Sequence, residues 1–246
     1  MIDNNRFEVV VNDVKKSSRA TMGIGTYMEK TVHMVLKRYY EPDIDYHEVR
    51  IDNYVADIYR DGHIIEIQTG NFNKMRGKLE SFLPQYKVTI VYPIPHVKYL
   101  NWLDDNSREV VSRRKSPRKG CEHLAFKELY SIKMYLKHPN LNLKLVMVDM
   151  EEYRLLNGWS ADKKKGSVRF DRLPIRIESE MDINRLEDYM QLVPFDLPDR
   201  FTVKDYSKVT KITEGRASTA INILYYVGVI ERVGKKGNAY IYSVVE

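Results

Sequence analysis

The chain has 246 residues, of which 43% are hydrophobic, so it can bury a sizeable core and extensive disorder is not expected. Forty Lys and Arg residues exceed 34 Asp and Glu residues, and the net charge of +6 permits a polyanionic partner. A single cysteine, Cys121, excludes an internal disulfide and a cysteine-rich zinc site.

The sequence carries no signal for membrane insertion. No run of about 18 apolar residues occurs, so no spanning helix is expected. Residues 1–13 contain acids and lack a long apolar stretch, which does not fit a secretory signal. We therefore expect a cytoplasmic protein that makes no membrane contact.

The first third of the chain predicts one helix and three short strands. Apolar residues at helical spacing predict a helix over Thr26–Tyr40. Strands are predicted over Tyr46–Ile51, Tyr54–Tyr59 and His63–Thr69. Asp61-Gly62 joins the last two strands, and this dipeptide favours a two-residue hairpin because both turn positions tolerate positive φ. These strands should form an antiparallel meander.

A helix and a buried strand follow the meander. The pattern predicts a helix over Lys74–Gln85 and a continuous β-branched strand over Lys87–Tyr92. A helix between two strands favours a crossover that makes the strands parallel. The predicted fold class is therefore α/β (α+β), with the element order αβββαβ and a mixed sheet.

The middle of the chain is less regular. Residues 111–120 hold five cations and no acid, and we predict a basic loop there. A helix is predicted over Glu122–Lys137, a buried strand over Leu143–Met150, and a short helix over Asp182–Leu192. Loops and a hairpin are expected from Asn157 to Ile177.

The last residues predict a separate small module. We expect a nuclease-like domain over residues 1–192 with its core at about 20–150, a linker over 193–200, and the module over 201–246. Helices at Thr202–Ser207 and Glu214–Val227 precede strands at Val229–Val233 and Ala239–Val244. This is the winged-helix arrangement, with Glu214–Val227 as the recognition helix.

Two acids face each other in the predicted hairpin. A turn centred on Asp61-Gly62 pairs Asp57 with Glu66 on the same side of the sheet. Opposed carboxylates repel, and a divalent cation between them would relieve the repulsion. The alternative is two solvated residues on an open face. The pair is therefore our candidate metal site.

These residues resemble the PD-(D/E)XK nuclease superfamily over about residues 20–92. The resemblance implies a restriction-endonuclease-like core in which Asp57 and Glu66 bind Mg²⁺ or Mn²⁺. It implies Glu29, on the preceding helix, as a further ligand; the alternative for Glu29 is a solvated surface residue. The implied activity is metal-dependent hydrolysis of phosphodiester bonds in DNA. Many nucleases of this superfamily act as homodimers, and the sequence leaves the oligomeric state open.

The sequence departs from the family pattern at one position. Gln68 stands where the family usually has a lysine, and glutamine orients water but supplies no charge. Lys74 and Lys78, on the next predicted helix, are candidates for the missing cation. A site that has lost catalysis and only binds is the other interpretation.

Several cations are candidates for DNA contact. They are Arg113, Arg114, Lys115, Arg118 and Lys119 of the basic loop, Arg216 of the recognition helix, and Lys235 and Lys236 of the wing. Three functions remain open at this point: a Mg²⁺-dependent endonuclease, a DNA-binding regulator with a degenerate nuclease core, and a protein-interaction module.

Overall fold

The structure is a computed structural model that describes residues 2–21, 30–159 and 165–245. It is an α/β protein with a large mixed sheet. The first half contains α1 (Asn4–Thr21), α2 (Lys30–Tyr40), β1 (His47–Ile51), β2 (Tyr54–Arg60), β3 (His63–Ile67), α3 (Arg76–Phe82) and β4 (Lys87–Leu103). The second half contains β5 (Val110–Lys115), α4 (Phe126–Ser131), β6 (Leu141–Trp159), β7 (Lys165–Ile183), α5 (Val203–Thr210), α6 (Glu214–Val227), β8 (Ile230–Lys236) and β9 (Ala239–Val244).

The described strands β1 to β7 form one sheet in the order β1-β2-β3-β4-β6-β7. The antiparallel meander β1-β2-β3 and the parallel return of β4 beside β3 are confirmed. Strand β6 is also parallel to β4, and β7 is antiparallel to β6. Strand β5 pairs with the second half of β4, beyond the end of β3.

Strand β4 runs eleven residues further than the predicted end at Tyr92. The predicted strand stops just before Pro93 and Pro95, because proline has no N–H to donate to a hydrogen bond of the sheet. The Val91 carbonyl accepts the Gln68 N–H, so odd-numbered residues of β4 direct their backbone groups toward β3. Pro93 and Pro95 continue that alternation just where β3 has ended, and no sheet hydrogen bond is lost.

Helices cover both faces of the sheet. On one face, Phe7, Val11 and Val14 of α1 pack with α2 against the middle strands. On the other face, α3 and α4 pack over the strands together with the C-terminal elements. Helix α1 was not predicted, although its three buried residues follow a helical spacing.

The second half corrects three predictions. Residues 111–115 of the predicted basic loop belong to strand β5, because they pair with the extended β4. The helix expected over Glu122–Lys137 is limited to α4, with 3-10 turns on both sides. In the segment from Asn157 to Ile177 the expected hairpin is confirmed, because β7 pairs antiparallel with β6, but most of the expected loop belongs to β7. The many charged residues of β7 hide its strand pattern; Arg172, for example, pairs with Glu152 of β6 at 3.1 Å.

The C-terminal elements pack directly on the rest of the chain. Helix α6 lies against α4, and Lys133, in the 3-10 turn after α4, donates through Nζ to Asn222 Oδ1 of α6 at 2.7 Å. The Tyr206 hydroxyl donates to the Leu192 carbonyl at 2.8 Å. Strands β8 and β9 form a separate two-stranded sheet. No helix among the described residues has the length and apolar character needed to cross a membrane.

Candidate metal centre

Asp57 lies where strands β2 and β3 separate. The hairpin register predicted from Asp61-Gly62 is confirmed up to Ile58, which pairs with Ile65. One step further, the Asp57 carboxylate accepts the Ile67 N–H at 2.8 Å through Oδ2. The same oxygen lies 3.0 Å from His33 Nε2 of α2. Both contacts use Oδ2, so Oδ1 has no hydrogen bond to a described residue.

Glu66 is buried beneath α3, with only 3% of its surface exposed. Its Oε2 accepts a hydrogen bond from Lys78 Nζ at 2.7 Å. Its Oε1 is fully buried and has no hydrogen-bond partner among the described residues. Burial, together with the negative charge of Asp57, raises the pKa of Glu66 to about 7, although Lys78 and the Asp57 backbone N–H act to lower it.

The surroundings shift the pKa values of Asp57 and Glu66 in opposite directions. Burial on its own would raise the pKa of Asp57, but the hydrogen bond and charge of His33 and the Ile67 N–H lower it below its usual value. Asp57 therefore stays ionised at neutral pH, whereas Glu66 holds a proton up to about pH 7. A cation placed between them would displace that proton.

The structure shows which of the two candidate lysines, Lys74 or Lys78, lies beside the acids. Lys78 is on α3 and contacts Glu66. Lys74 precedes α3 in a 3-10 turn, is exposed, and forms no ion pair with a described residue. Gln68 directs its side-chain amide to the Gly70 carbonyl rather than to either acid. Glu29 lies outside the described residues.

His33 is the contact that sequence reasoning missed. It lies in the helix that was predicted, and its position faces the end of β2, where it touches Asp57. Its signal would have been its place in α2 one turn before Lys37, which reaches Glu48 of β1 at 2.6 Å. Both residues show that this face of α2 covers the meander.

A second group of donor atoms lies in the middle of β4, β6 and β7. Ligand atoms of His96, Asp149 and Glu178 lie within 4.8 Å of one another. The guanidinium of Arg176 already bridges them, with Nε 2.9 Å from Asp149 and Nη2 2.5 Å from Glu178. Because Arg176 supplies the positive charge, these acids do not require a metal ion.

The five cations of the predicted basic loop, residues 111–120, do not form one surface patch. Arg113 pairs with Glu151 at 3.2 Å and lies over the Tyr99 ring. Arg114 lies over the Trp102 ring, on the opposite face of the strand. Lys115, Arg118 and Lys119 line a cavity beside β4.

The C-terminal cations are also divided. Lys235 lies 4.6 Å from the centre of the Tyr240 ring, and Lys236 is exposed near the hairpin tip. Arg216 is on another side of α6, close enough to Cys121 that its charge acts on that thiol. Sequence reasoning missed Arg232, which lies over the rings of Tyr225 and Tyr240 at 4.6 and 4.1 Å. A cavity between α6 and the β8–β9 hairpin contains this stack.

Comparison with known proteins gives the family. A family described as "Domain of unknown function (DUF8091)" matches residues 30–184, more than half of the chain. The chain belongs to this family. The DUF8091 region begins with α2 and runs to the end of β7, so it contains Asp57, Glu66 and Lys78 and stops before α5.

A relative is similar to this chain over most of the length of both proteins. A protein of Treponema pallidum (strain Nichols), described as "Uncharacterized protein", is 26% identical over 228 residues. The similarity covers 90% of this chain and 87% of that protein, so it extends beyond the DUF8091 region. No solved structure matches the chain.

Proposed function

We propose that this protein is a Mg²⁺-dependent endonuclease that hydrolyses phosphodiester bonds in DNA, with Asp57 and Glu66 as metal ligands. The observation that carries the proposal is the buried Oε1 of Glu66, which has no partner among the described residues. A buried carboxylate oxygen without a partner costs free energy, and a divalent cation would supply the missing contact. Oδ1 of Asp57 is the second oxygen that remains available.

The residues present suit Mg²⁺ rather than a softer metal. Mg²⁺ prefers oxygen ligands and keeps several waters, which fits two carboxylates of which Asp57 is partly exposed. When bound, the ion lowers the pKa of a water molecule and neutralises charge on the phosphate. Lys78 then holds a positive charge beside Glu66, in the role that Gln68 cannot fill. His33 fixes the orientation of the Asp57 carboxylate.

The proposal also assigns a nuclease-like core and a winged-helix module to the chain. The order α2-β1-β2-β3-α3-β4 supports our assignment of this region to an αβββαβ core of the PD-(D/E)XK type. We assign α5, α6 and the β8–β9 hairpin to a winged-helix module that selects the DNA, with Lys235 and Lys236 on the wing. A homodimer would present two such sites, one for each strand of a duplex.

Plasmid DNA tests the activity directly. Supercoiled plasmid is incubated with the protein and Mg²⁺ or Mn²⁺, and nicked and linear products are measured. We expect cleavage by the wild type, and none by Asp57→Asn or Glu66→Gln, both of which keep the shape of the side chain. Asp61→Asn, at the exposed turn of the same hairpin, is the matched control and should keep full activity.

One observation favours a second candidate function, a DNA-binding regulator with an inactive core. The Gln68 amide is bonded to the Gly70 carbonyl, away from the two acids. In that case the wild type would cleave no substrate with either metal, yet it would retain DNA at low salt and release it as salt rises. Cleavage that depends on Asp57 and Glu66 would contradict this second candidate.

A further inference from the structure

A basic cavity of about 450 Å³ opens beside the middle of β4, away from Asp57 and Glu66 in sequence. Its wall is the loop that follows β5, and its floor is formed by buried side chains of β4 and β6. The titratable and charged side chains that line the cavity include those of His96, Lys115, Arg118, Lys119, Asp149 and Arg176.

The loop over the cavity is held at both ends by β4. The Ser116 N–H donates to the Lys98 carbonyl at 2.7 Å, and the Gly120 N–H donates to the His96 carbonyl at 2.8 Å. A Cβ at Gly120 would lie 2.0 Å from the Pro95 carbonyl oxygen, so only glycine permits this approach. The cations on the loop are therefore presented from a fixed backbone.

Three of these cations are not neutralised. Lys115, Arg118 and Lys119 form no ion pair with any acid in the described ranges, although acids are common elsewhere on the sheet. Arg176 differs because it is bound to Asp149 and Glu178. Like charges gathered around one cavity repel, and an anion placed between them would offset that repulsion.

The floor of the cavity presents a histidine in a fixed orientation. The Asp149 carboxylate accepts the Val97 N–H at 3.1 Å and the Arg176 Nε–H at 2.9 Å. Burial would raise the pKa of Asp149, but its bonds to Arg176, His96 and Val97 lower it, so the carboxylate is ionised. His96 Nδ1, 2.8 Å from Asp149, must therefore donate. Nε2 then accepts a hydrogen bond from a protonated phosphate oxygen, or donates to an ionised one when the ring carries a second proton.

We propose that this cavity binds a phosphomonoester, the terminal phosphate of a DNA strand or of a nucleotide, between the loop cations and His96. A terminal phosphate carries up to two negative charges and fits a cavity with a closed floor, whereas an internal phosphodiester needs a groove that is open at both ends. The naming of a DNA end as the ligand rests on the proposed function. The phosphate chemistry itself rests only on the residues of the cavity.

Binding to three oligonucleotides of one sequence tests the proposal. One carries a 5′-phosphate, one a 3′-phosphate, and one hydroxyls at both ends, and their affinities are measured by fluorescence anisotropy in EDTA. We expect a terminally phosphorylated strand to bind about tenfold more tightly than the hydroxyl strand. Arg118→Ala/Lys119→Ala should abolish that difference, while Lys15→Ala/Lys16→Ala, an equal loss of charge from exposed positions of α1, should keep it.

Deoxyadenosine monophosphate distinguishes the two sources. If it binds as tightly as the phosphorylated strand, the ligand is a nucleotide; if it binds much more weakly, the ligand is a DNA end. Equal affinity for all three strands, or a preference that survives in Arg118→Ala/Lys119→Ala, would overturn the proposal. Because binding is measured without metal, this result is independent of plasmid cleavage, and either proposal can fail alone.

Discussion

Lys78 Nζ donates a hydrogen bond to Oε2 of the buried Glu66 at 2.7 Å. The contact joins α3 to β3 and brings a cation to an acid that burial would otherwise keep protonated. It also leaves the other carboxylate oxygen of Glu66 without a partner among the described residues. The pair therefore supports two roles at once: Lys78 partly stabilises the charged form of Glu66, and Glu66 keeps one oxygen for a metal.

The two candidate lysines predict different outcomes. Lys78→Ala should lower kcat/KM for DNA cleavage by about 10- to 100-fold, since a hydrogen bond to a charged group is lost. It should also shift the acidic limb of the pH–rate profile to higher pH, because Lys78 lowers the pKa of Glu66 and that effect is lost in the variant. Lys74→Ala is the control and should leave both quantities unchanged. Equal losses in the two variants would contradict the assignment.

Glu66 also makes the stability of the metal-free protein depend on pH. Its pKa is raised in the folded state from 4.5 to about 7, so its contribution is fully present below pH 4.5 and is lost as pH rises through about 7. The rise corresponds to up to about 3 kcal/mol. Relative to wild type, Glu66→Gln should therefore gain thermal stability between about pH 5 and about pH 8. A constant difference in Tm across this range would refute the shift.

Mg²⁺ should stabilise the wild type and not the site variants. At a concentration ten times the Kd, a ligand that binds only the folded state adds about 1.4 kcal/mol, or about 3 °C in Tm. We expect this shift at about pH 8 and a much smaller one at about pH 5, where the proton on Glu66 competes with the metal. Asp57→Asn and Glu66→Gln should show no shift, and Asp61→Asn should show the full shift. The measurement is differential scanning fluorimetry.

Two glycines should respond to alanine in opposite directions. Gly120→Ala places a Cβ 2.0 Å from the Pro95 carbonyl oxygen and should cost about 1–3 kcal/mol of stability. It should also weaken phosphate binding, because the loop must move. Gly215 lies in the first turn of α6 with open space around its Cβ position, so Gly215→Ala should stabilise by up to about 1 kcal/mol. Urea unfolding measures both effects.

The salt dependence of DNA binding tests the wing. Each phosphate contact contributes about 0.9 to the slope of log K against log salt concentration. If Lys235 and Lys236 each contact a phosphate, Lys235→Ala/Lys236→Ala should reduce that slope by about 1.8. Lys15→Ala/Lys16→Ala removes the same charge from α1 and should leave the slope unchanged. A wing variant with the wild-type slope would place the DNA elsewhere.

Local signals predicted the meander well. Asp61-Gly62 fixed the register of β2 and β3, because a two-residue turn leaves only one way to pair the residues beside it. Alternation and a crossover helix were enough to predict that β4 returns parallel to β3. The same reasoning failed where a distant partner decides the conformation. Residues 110–115 form a strand only because β4 continues past two prolines to meet them.

The candidate sites show the same division. The amino-acid sequence by itself determined that Asp57 and Glu66 lie on neighbouring strands, since hairpin pairing depends on residues next to each other in the chain. Only the tertiary structure decided that Glu66 is buried, that Lys78 rather than Lys74 reaches it, and that His96, Asp149 and the loop cations share one cavity. Burial and charge pairing depend on elements far apart in sequence, and no local pattern records which of them will meet.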